Sequence, residues 1–302
     1  MKKYLLNLLL LASALSAQAN TQSVQIVWPF SLAGAQPTMI RQMIDNANRL
    51  QNQYQFVFVN NPGAGGTVAA NTVTSAKDIR VLITSTSFYI RPAMYAESHD
   101  PKTFDLIGTV CTKQPFAVYS KKYKNIQELS KANASIGVIN GTISQLVSTS
   151  LQLNNSIKLN DIGYKGTPEA MTDMLGGHID ASVDFLGPMT LSRFSDKDQV
   201  SVIGVTGERN ISGYATFKSQ QIKGLEHIEF SMYVLVKNSL DPLIKRDISE
   251  VLHNSIDDSV KKMCTDEYGL VERISWSNMP GYHANQIDRW SKFVKTLNIE
   301  KQ

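Results

Sequence analysis

Cysteine and histidine are scarce in this chain, with two and five residues respectively among 302. His99, His178, His227, His253 and His283 are scattered without ligand spacing, and no H-E-x-x-H, C-x-x-C or G-x-S-x-G occurs. The side chains that would hold a catalytic metal, run dithiol exchange or build a nucleophile elbow are therefore missing. Neither a metal nor a cofactor is expected, and the chain reads as a binder without catalytic residues. A secreted hydrolase assembled from distant residues stays as an alternative. Charge of one sign is also sparse: the formal net charge is +4, part of it in Lys2 and Lys3. That excess is too weak and scattered for a nucleic-acid footprint. Internal repeats, low-complexity tracts and long linkers are absent, and the one long apolar run is Leu5 to Leu15.

That run follows two lysines and precedes Ala17-Gln18-Ala19, the layout of a cleavable export signal covering residues 1–19. An uncleaved anchor is the alternative, but the run falls short of the ~20 residues that span a bilayer. The mature chain should start at Asn20 in the periplasm. Because Cys111 and Cys264 lie far downstream, no cysteine at the cleavage site could carry a lipid, so the protein is not expected to be a lipoprotein. In an oxidising compartment the two cysteines could pair, or could each be a small buried hydrophobe; sequence leaves both open.

The remainder is long for one core and suits two lobes. Strand-like VQIVWPF, FVFVN and RVLITST alternate with helices, the first from about Pro37 to Leu50 with Met39, Ile40, Met43, Ile44, Ala47 and Leu50 on one face. The pattern restarts after Cys111 with FAVYS, a helix opened by Asn125 and Glu128 in capping-box spacing, SIGVIN, DIGYKG, IDASVDF and VSVIGVTG. Thr167-Pro168 reads as an N-cap followed by proline at the first helical position, and Gly176-Gly177 as the end of that helix. A strand at EFSMYVLV, a helix from Asp241-Pro242 and a final helix from about Asn285 to Leu297 rejoin the first lobe. The expected organisation is α/β with mostly parallel sheets and helices on both faces. One lobe takes 20–110 plus 231–302, the other 111–230, and short crossing strands near Val110 and Phe230 form the hinge.

In such sheets, ligands sit outside the carboxyl ends of the strands, where free backbone N–H groups open the next helix. Ser31, Leu32, Ala33, Gly34 and Ala35 follow the first strand, and Gly65, Gly66 and Thr67 follow the second. Both loops let a ligand approach backbone and favour an anion, worth ~0.3–1 kcal/mol per exposed charge and up to ~2 when partly buried. Gly63-x-Gly65-Gly66 lacks the third glycine of a dinucleotide fingerprint, with Val68 in its place, and a tight turn without ligand is its plainer reading. Ser85 and Thr86 close the third strand; Thr142 and Ser144, then Gly166 and Thr167, open helices in the second lobe, where ordinary capping competes. Lys165 is read as a solvated charge. Asp180, Ser182 and Asp184 share one strand face, with Asp184 nearest the carboxyl end, either accepting from a ligand or capping the helix after Phe185.

At these loops, in WPFSLAGAQP, NNPGAGGTVAAN, TSTSFYIRPAMY, YKGTPEAMTDMLGGHIDASVDF and IDRWSKFVKTLNI, the sequence resembles the receptors of tripartite tricarboxylate transporters, the Bug or TctC-like family. The likeness spans nearly the whole mature chain. It implies a two-lobed type II periplasmic-binding-protein fold that closes, Venus-flytrap fashion, on a small carboxylate held mainly by backbone amides and hydroxyls of the first two loops. It also implies transient contact with membrane transporter subunits; the receptor itself is expected to be a monomer. A periplasmic sensor presenting its closed form to a signalling receptor is the alternative. The first loop departs from the family in Ala33, Ala35, Gln36 and Pro37, and the loop Asn140 to Ser144 lacks the usual longer glycine-serine-proline stretch.

Overall fold

The computed structural model describes residues 21–195, 200–211, 213–297 and 301, so the export signal lies outside the described residues. β1 (Gln22–Trp28), α1 (Ala35–Leu50), β2 (Tyr54–Asn60), α2 (Thr67–Ser75) and β3 (Ile79–Ser85) make the anticipated βαβαβ unit. Met39, Ile40, Met43, Ile44 and Ala47 of α1 are buried, as their spacing requires, while Leu50 is left 59% exposed because it ends the helix beyond the sheet. Helix α3 (Ser87–Met94) and strand β4 (Phe104–Thr109) follow.

The second sheet is built from β5 (Phe116–Ser120), β6 (Ala134–Val138), β7 (Leu159–Gly163), β8 (Ala181–Phe185) and β9 (Ser201–Val205). Between them run α4 (Ile126–Ala132), α5 (Ile143–Asn155), α6 (Thr167–Gly176) and α7 (Pro188–Leu191). Asn125 caps α4 by accepting from the Glu128 amide at 3.0 Å, and Glu128 reaches back to the Lys124 amide at 2.8 Å. Helix α6 starts one residue earlier than its sequence suggests: Gly166 is the cap and Thr167 is already helical. Its far end is closed by Gly177 at φ +77°, a left-handed turn that glycine adopts without strain.

The chain then returns as β10 (Met232–Lys237), followed by α8 (Pro242–Asn254), α9 (Asp258–Asp266) and α10 (Met279–Thr296). Helix α9 went unread in the sequence, although Asp257 caps it in the ordinary way by accepting from the Val260 amide at 2.9 Å. The last helix starts at Met279, earlier than expected, because Pro280 at its first turn opens it.

The sheet orders are β2-β1-β3-β10-β4 and β7-β6-β8-β5-β9. In each, three strands pair parallel and a fourth runs antiparallel beside them: β10 against β3, and β5 against β8. That antiparallel strand is the first one laid down after the chain crosses from the other sheet. The crossing segments pair with each other, Gln114 and Phe230 exchanging backbone bonds of 2.9 and 2.8 Å, and Thr112 pairs likewise with Leu270. Two α/β lobes thus share a narrow backbone waist. Beside it, Cys111 and Cys264 form a disulfide with Cα atoms 5.7 Å apart, which answers the pairing question that spacing could not. A Cβ at Gly269 would fall against both sulfurs, so that position needs glycine for close approach. Among the described residues no helix is long and apolar enough to cross a membrane.

Candidate functional site: the cleft between the two sheets

A cleft enclosing roughly 650 Å³, its open mouth included, lies between the lobes at the carboxyl ends of their parallel strands. The first lobe lines it with Trp28, Phe30, Ser31, Ala33, Gln36 and Pro37 after β1, and with Ser85 and Ser87 after β3. The second lobe brings Ile139, Thr142, Ile143 and Ser144 after β6, Lys165 to Pro168 after β7, and Phe185 at the end of β8. The crossing segments add Phe116 and Phe230. Their rings pack on Phe185 at centroid distances of 4.5 and 4.7 Å, giving the cleft an aromatic floor.

Three helices begin on this cleft: α1 at Gly34, α5 at Thr142 and α6 at Gly166. None of the three carries a side-chain cap on its first amides. Helices α4, α8 and α9, which open elsewhere, are capped by Asn125, Asp241 and Asp257. Helices α2, α3, α7 and α10 also lack such caps, so what marks the cleft is the convergence of helix ends on one space and not the missing cap of any one helix. Uncapped first-turn N–H groups carry the positive end of the helix dipole, and three of them directed at one space favour an anion there. Lys165 is the one charged side chain in the lining and adds to that field.

Of the sequence-derived candidates, Ser31, Ala33, Ser85, Thr142, Ser144, Gly166 and Thr167 line the cleft, and Gly34, Ala35 and Asp184 line a smaller recess beside it. The Thr142 and Ser144 hydroxyls are also tied into their own turn: Thr142 Oγ1 donates to the Ile139 carbonyl and Ser144 Oγ accepts from the Ile139 amide, both at 2.8 Å. Five candidates lie elsewhere. Leu32 points outward and is 51% exposed. Thr86 is turned into the waist, where its Oγ1 donates to the Glu229 carbonyl and accepts from the Ser231 amide. Gly66 packs beneath Pro29 and Phe30. Gly65 and Thr67 face Arg91, whose Nε donates to Thr67 Oγ1 at 3.1 Å and whose Nη1 reaches the Asn140 carbonyl of the other lobe at 3.4 Å. A guanidinium thus faces the second of the two loops on which the resemblance implied that a carboxylate is held. Lys165, read as a mere solvated charge, belongs to the lining, and the aromatic floor went unrecognised because phenylalanines at strand ends look like core.

Asp184 is fully buried, and that burial pushes its carboxyl up to about 6, with the Phe185 amide, Arg193 and Thr167 opposing the shift. His99 lies behind Thr67. It stacks on Phe88 with ring centroids 4.5 Å apart, and its Nε2 donates to the Phe88 carbonyl at 2.8 Å. Burial drives its pKa down to about 4 and also lowers that of His283, which sits between Tyr89 and the Pro101 carbonyl. Below pH 6.5 the unfolded chain binds a proton that folded His99 refuses, so stability contributed by this site is lost as pH falls from about 6.5 towards 4. The full loss is roughly 3 kcal/mol. Asp184 works in the opposite sense, because a raised carboxyl pKa favours the fold as pH falls through 6. Comparing denaturant melts of the wild type and His99→Gln therefore isolates the histidine: the wild type should lose stability relative to the variant on acidification. Parallel pH profiles would refute the burial argument.

The sequence model of the family described as "Tripartite tricarboxylate transporter family receptor" matches residues 39–237. A curated relative from Agrobacterium vitis, a UPF0065 protein of the TAR-I ttuE-ttuC' intergenic region, is 25% identical over 78% of this chain and 71% of its own. Among solved structures, the periplasmic binding protein BugD superposes with a TM-score of 0.79 at 21% identity, covering 93% of this chain and 99% of its own. R. palustris Rpa4515, solved with adipate, gives 0.80 at 18% identity over 94% and 99%. These superpositions speak for the fold, and the family match, which begins inside α1, takes in the whole second sheet, every strand of the first except β1, and the strand-end turns after β2, β3, β6, β7 and β8. With its two lobes, crossing strands and converging helix ends, the chain belongs to the tripartite tricarboxylate transporter receptor family.

Proposed function

We propose that the protein is a periplasmic receptor that captures a small carboxylated solute by hinge closure and hands it to the membrane subunits of a tripartite tricarboxylate-type transporter, without chemistry of its own. The lobes are 20–110 with 231–302, and 111–230. The observation that carries this reading is the convergence of three uncapped helix ends on one cleft with an aromatic floor. A carboxylate satisfies the N–H groups while the rest of the solute packs on Phe116, Phe185 and Phe230. Ser31, Ala33, Ser85, Thr142, Ser144, Gly166 and Thr167 supply the surrounding amides and hydroxyls. The adipate with which Rpa4515 was solved suits the same chemistry.

The test is the melting temperature of the chain from Asn20 against mono-, di- and tricarboxylates, aromatic acids, amino acids and neutral controls. A ligand at 100 times its dissociation constant adds ~2.7 kcal/mol, an upward shift of several degrees. Selective stabilisation by acids supports the receptor. Shifts with neutral or cationic compounds alone would sink the carboxylate assignment.

A further inference from the structure

Beside the cleft, and continuous with it through Ala33, Gln36, Thr167 and Phe185, lies a narrow polar recess of roughly 290 Å³ with the open solvent at its mouth included. The first lobe contributes the start of α1 and the second contributes Asp184 and Arg193, while Glu267 closes one side. The Asp184 side chain is 2% exposed. Its Oδ1 accepts from the Phe185 amide at 2.8 Å; the Thr167 hydroxyl lies on the same recess and steadies the carboxylate, but no hydrogen bond of good geometry reaches Oδ2 among the described residues. Arg193 Nη1, 3.5 Å away, is buried and equally without one. At that separation the two attract as charges yet make no good hydrogen bond, so each keeps a free direction. Leaving such a group unsatisfied is costly, the more so when it is charged. Glu267 cannot relieve Asp184, because it is itself an acceptor and takes the Met189 amide at 3.0 Å.

The group that completes this pair must donate to Asp184 Oδ2 and accept from Arg193 Nη1 at once. A methylene does neither and an ammonium only donates. A carboxylate only accepts, and Asp184 and Glu267 repel it. A hydroxyl does both. We infer that the recess is a hydroxyl subsite, in which a hydroxyl of the bound acid bridges Asp184 Oδ2 and Arg193 Nη1, so that the receptor selects hydroxy acids over their unsubstituted counterparts. The inference rests on the receptor reading above and names its substrate class. Water and a carboxamide have both capacities too, and a recess that simply holds water gives no such preference.

Calorimetric titration of the mature protein with matched pairs decides between them: propionate and lactate, succinate and malate, glutarate and 2-hydroxyglutarate, benzoate and 3-hydroxybenzoate, both enantiomers where they exist. The hydroxy member of at least one pair should bind about tenfold tighter or better. In Asp184→Asn, and separately in Arg193→Gln, the ratio within that pair should collapse to within about twofold of 1, whatever the absolute affinities do. Arg193 is partly exposed, so its variant keeps the test open if Asp184→Asn does not fold. Acids that bind equally well with and without the hydroxyl overturn the subsite and leave the receptor standing, as does a preference that survives both substitutions. If no acid binds at all, the receptor reading falls and takes the subsite with it.

Discussion

Reducing the Cys111–Cys264 disulfide should lower the free energy of unfolding by about 2–5 kcal/mol. The bond closes a loop of 153 residues, which includes the whole second lobe, and in the chain-entropy account so long a loop lies at the upper end of what a cross-link contributes. It also ties the crossing strand at Cys111 to α9, which packs on α1 of the first lobe. Both cysteines are fully buried, so alanine substitution would remove packing as well as the cross-link. Urea melts of the oxidised and reduced wild type, with the Cys111→Ala/Cys264→Ala double variant beside them, separate the two effects. The reduced protein should melt earlier and the double variant earlier still. Coincident oxidised and reduced curves would show that the cross-link carries no stability.

Replacing Arg91 with alanine should weaken capture of the acid chosen by the melting panel by about tenfold, chiefly through faster release. Arg91 and Tyr95 leave α3 together, the guanidinium lying 4.4 Å over the Tyr95 ring. Arg91 donates to the Asn140 carbonyl, and Tyr95 Oη donates at 3.0 Å to Gln145 Oε1, which also takes the Gly141 amide at 2.7 Å. These contacts join the lobes without using the crossing strands, so under the proposed hinge closure they belong to the shut form and are lost on opening. Losing them lowers the population of the closed form, and the apparent dissociation constant rises in proportion. Partial exposure and a 3.4 Å bond put Arg91 at the lower end for charge-assisted contacts, hence tenfold and not a hundredfold. Tyr95→Phe, which removes one hydroxyl and keeps the ring, should cost less. Stopped-flow release rates equal to wild type in Arg91→Ala would show that this contact does not hold the lobes together.

Particular residues show how far the sequence could be read. The Asn125–Glu128 box, Gly177 and the apolar face of α1 were legible because each is decided within a few neighbours along the chain. The glycine loop at 63–66 was legible as a turn but not as to what faces it, since Arg91 reaches it from a helix that follows a different strand. Asp184 could be placed at a strand end by its period of two, whereas Arg193 gave no signal until α7 brought it to 3.5 Å. Lys165 and the three phenylalanines of the cleft floor were indistinguishable from solvated and core residues for the same reason.

By itself, the sequence determined the alternation of strands and helices, the two-lobed α/β class, and the set of strand-end turns where an anion could dock, because periodicity, capping and turn chemistry are local. The tertiary structure decided which of those turns share one space, that the cysteines meet, and that an aspartate and an arginine are left with open hydrogen-bonding directions beside the cleft. Those outcomes depend on where β5 and β10 insert after crossing between the sheets, and that choice is made by packing between segments remote in the chain.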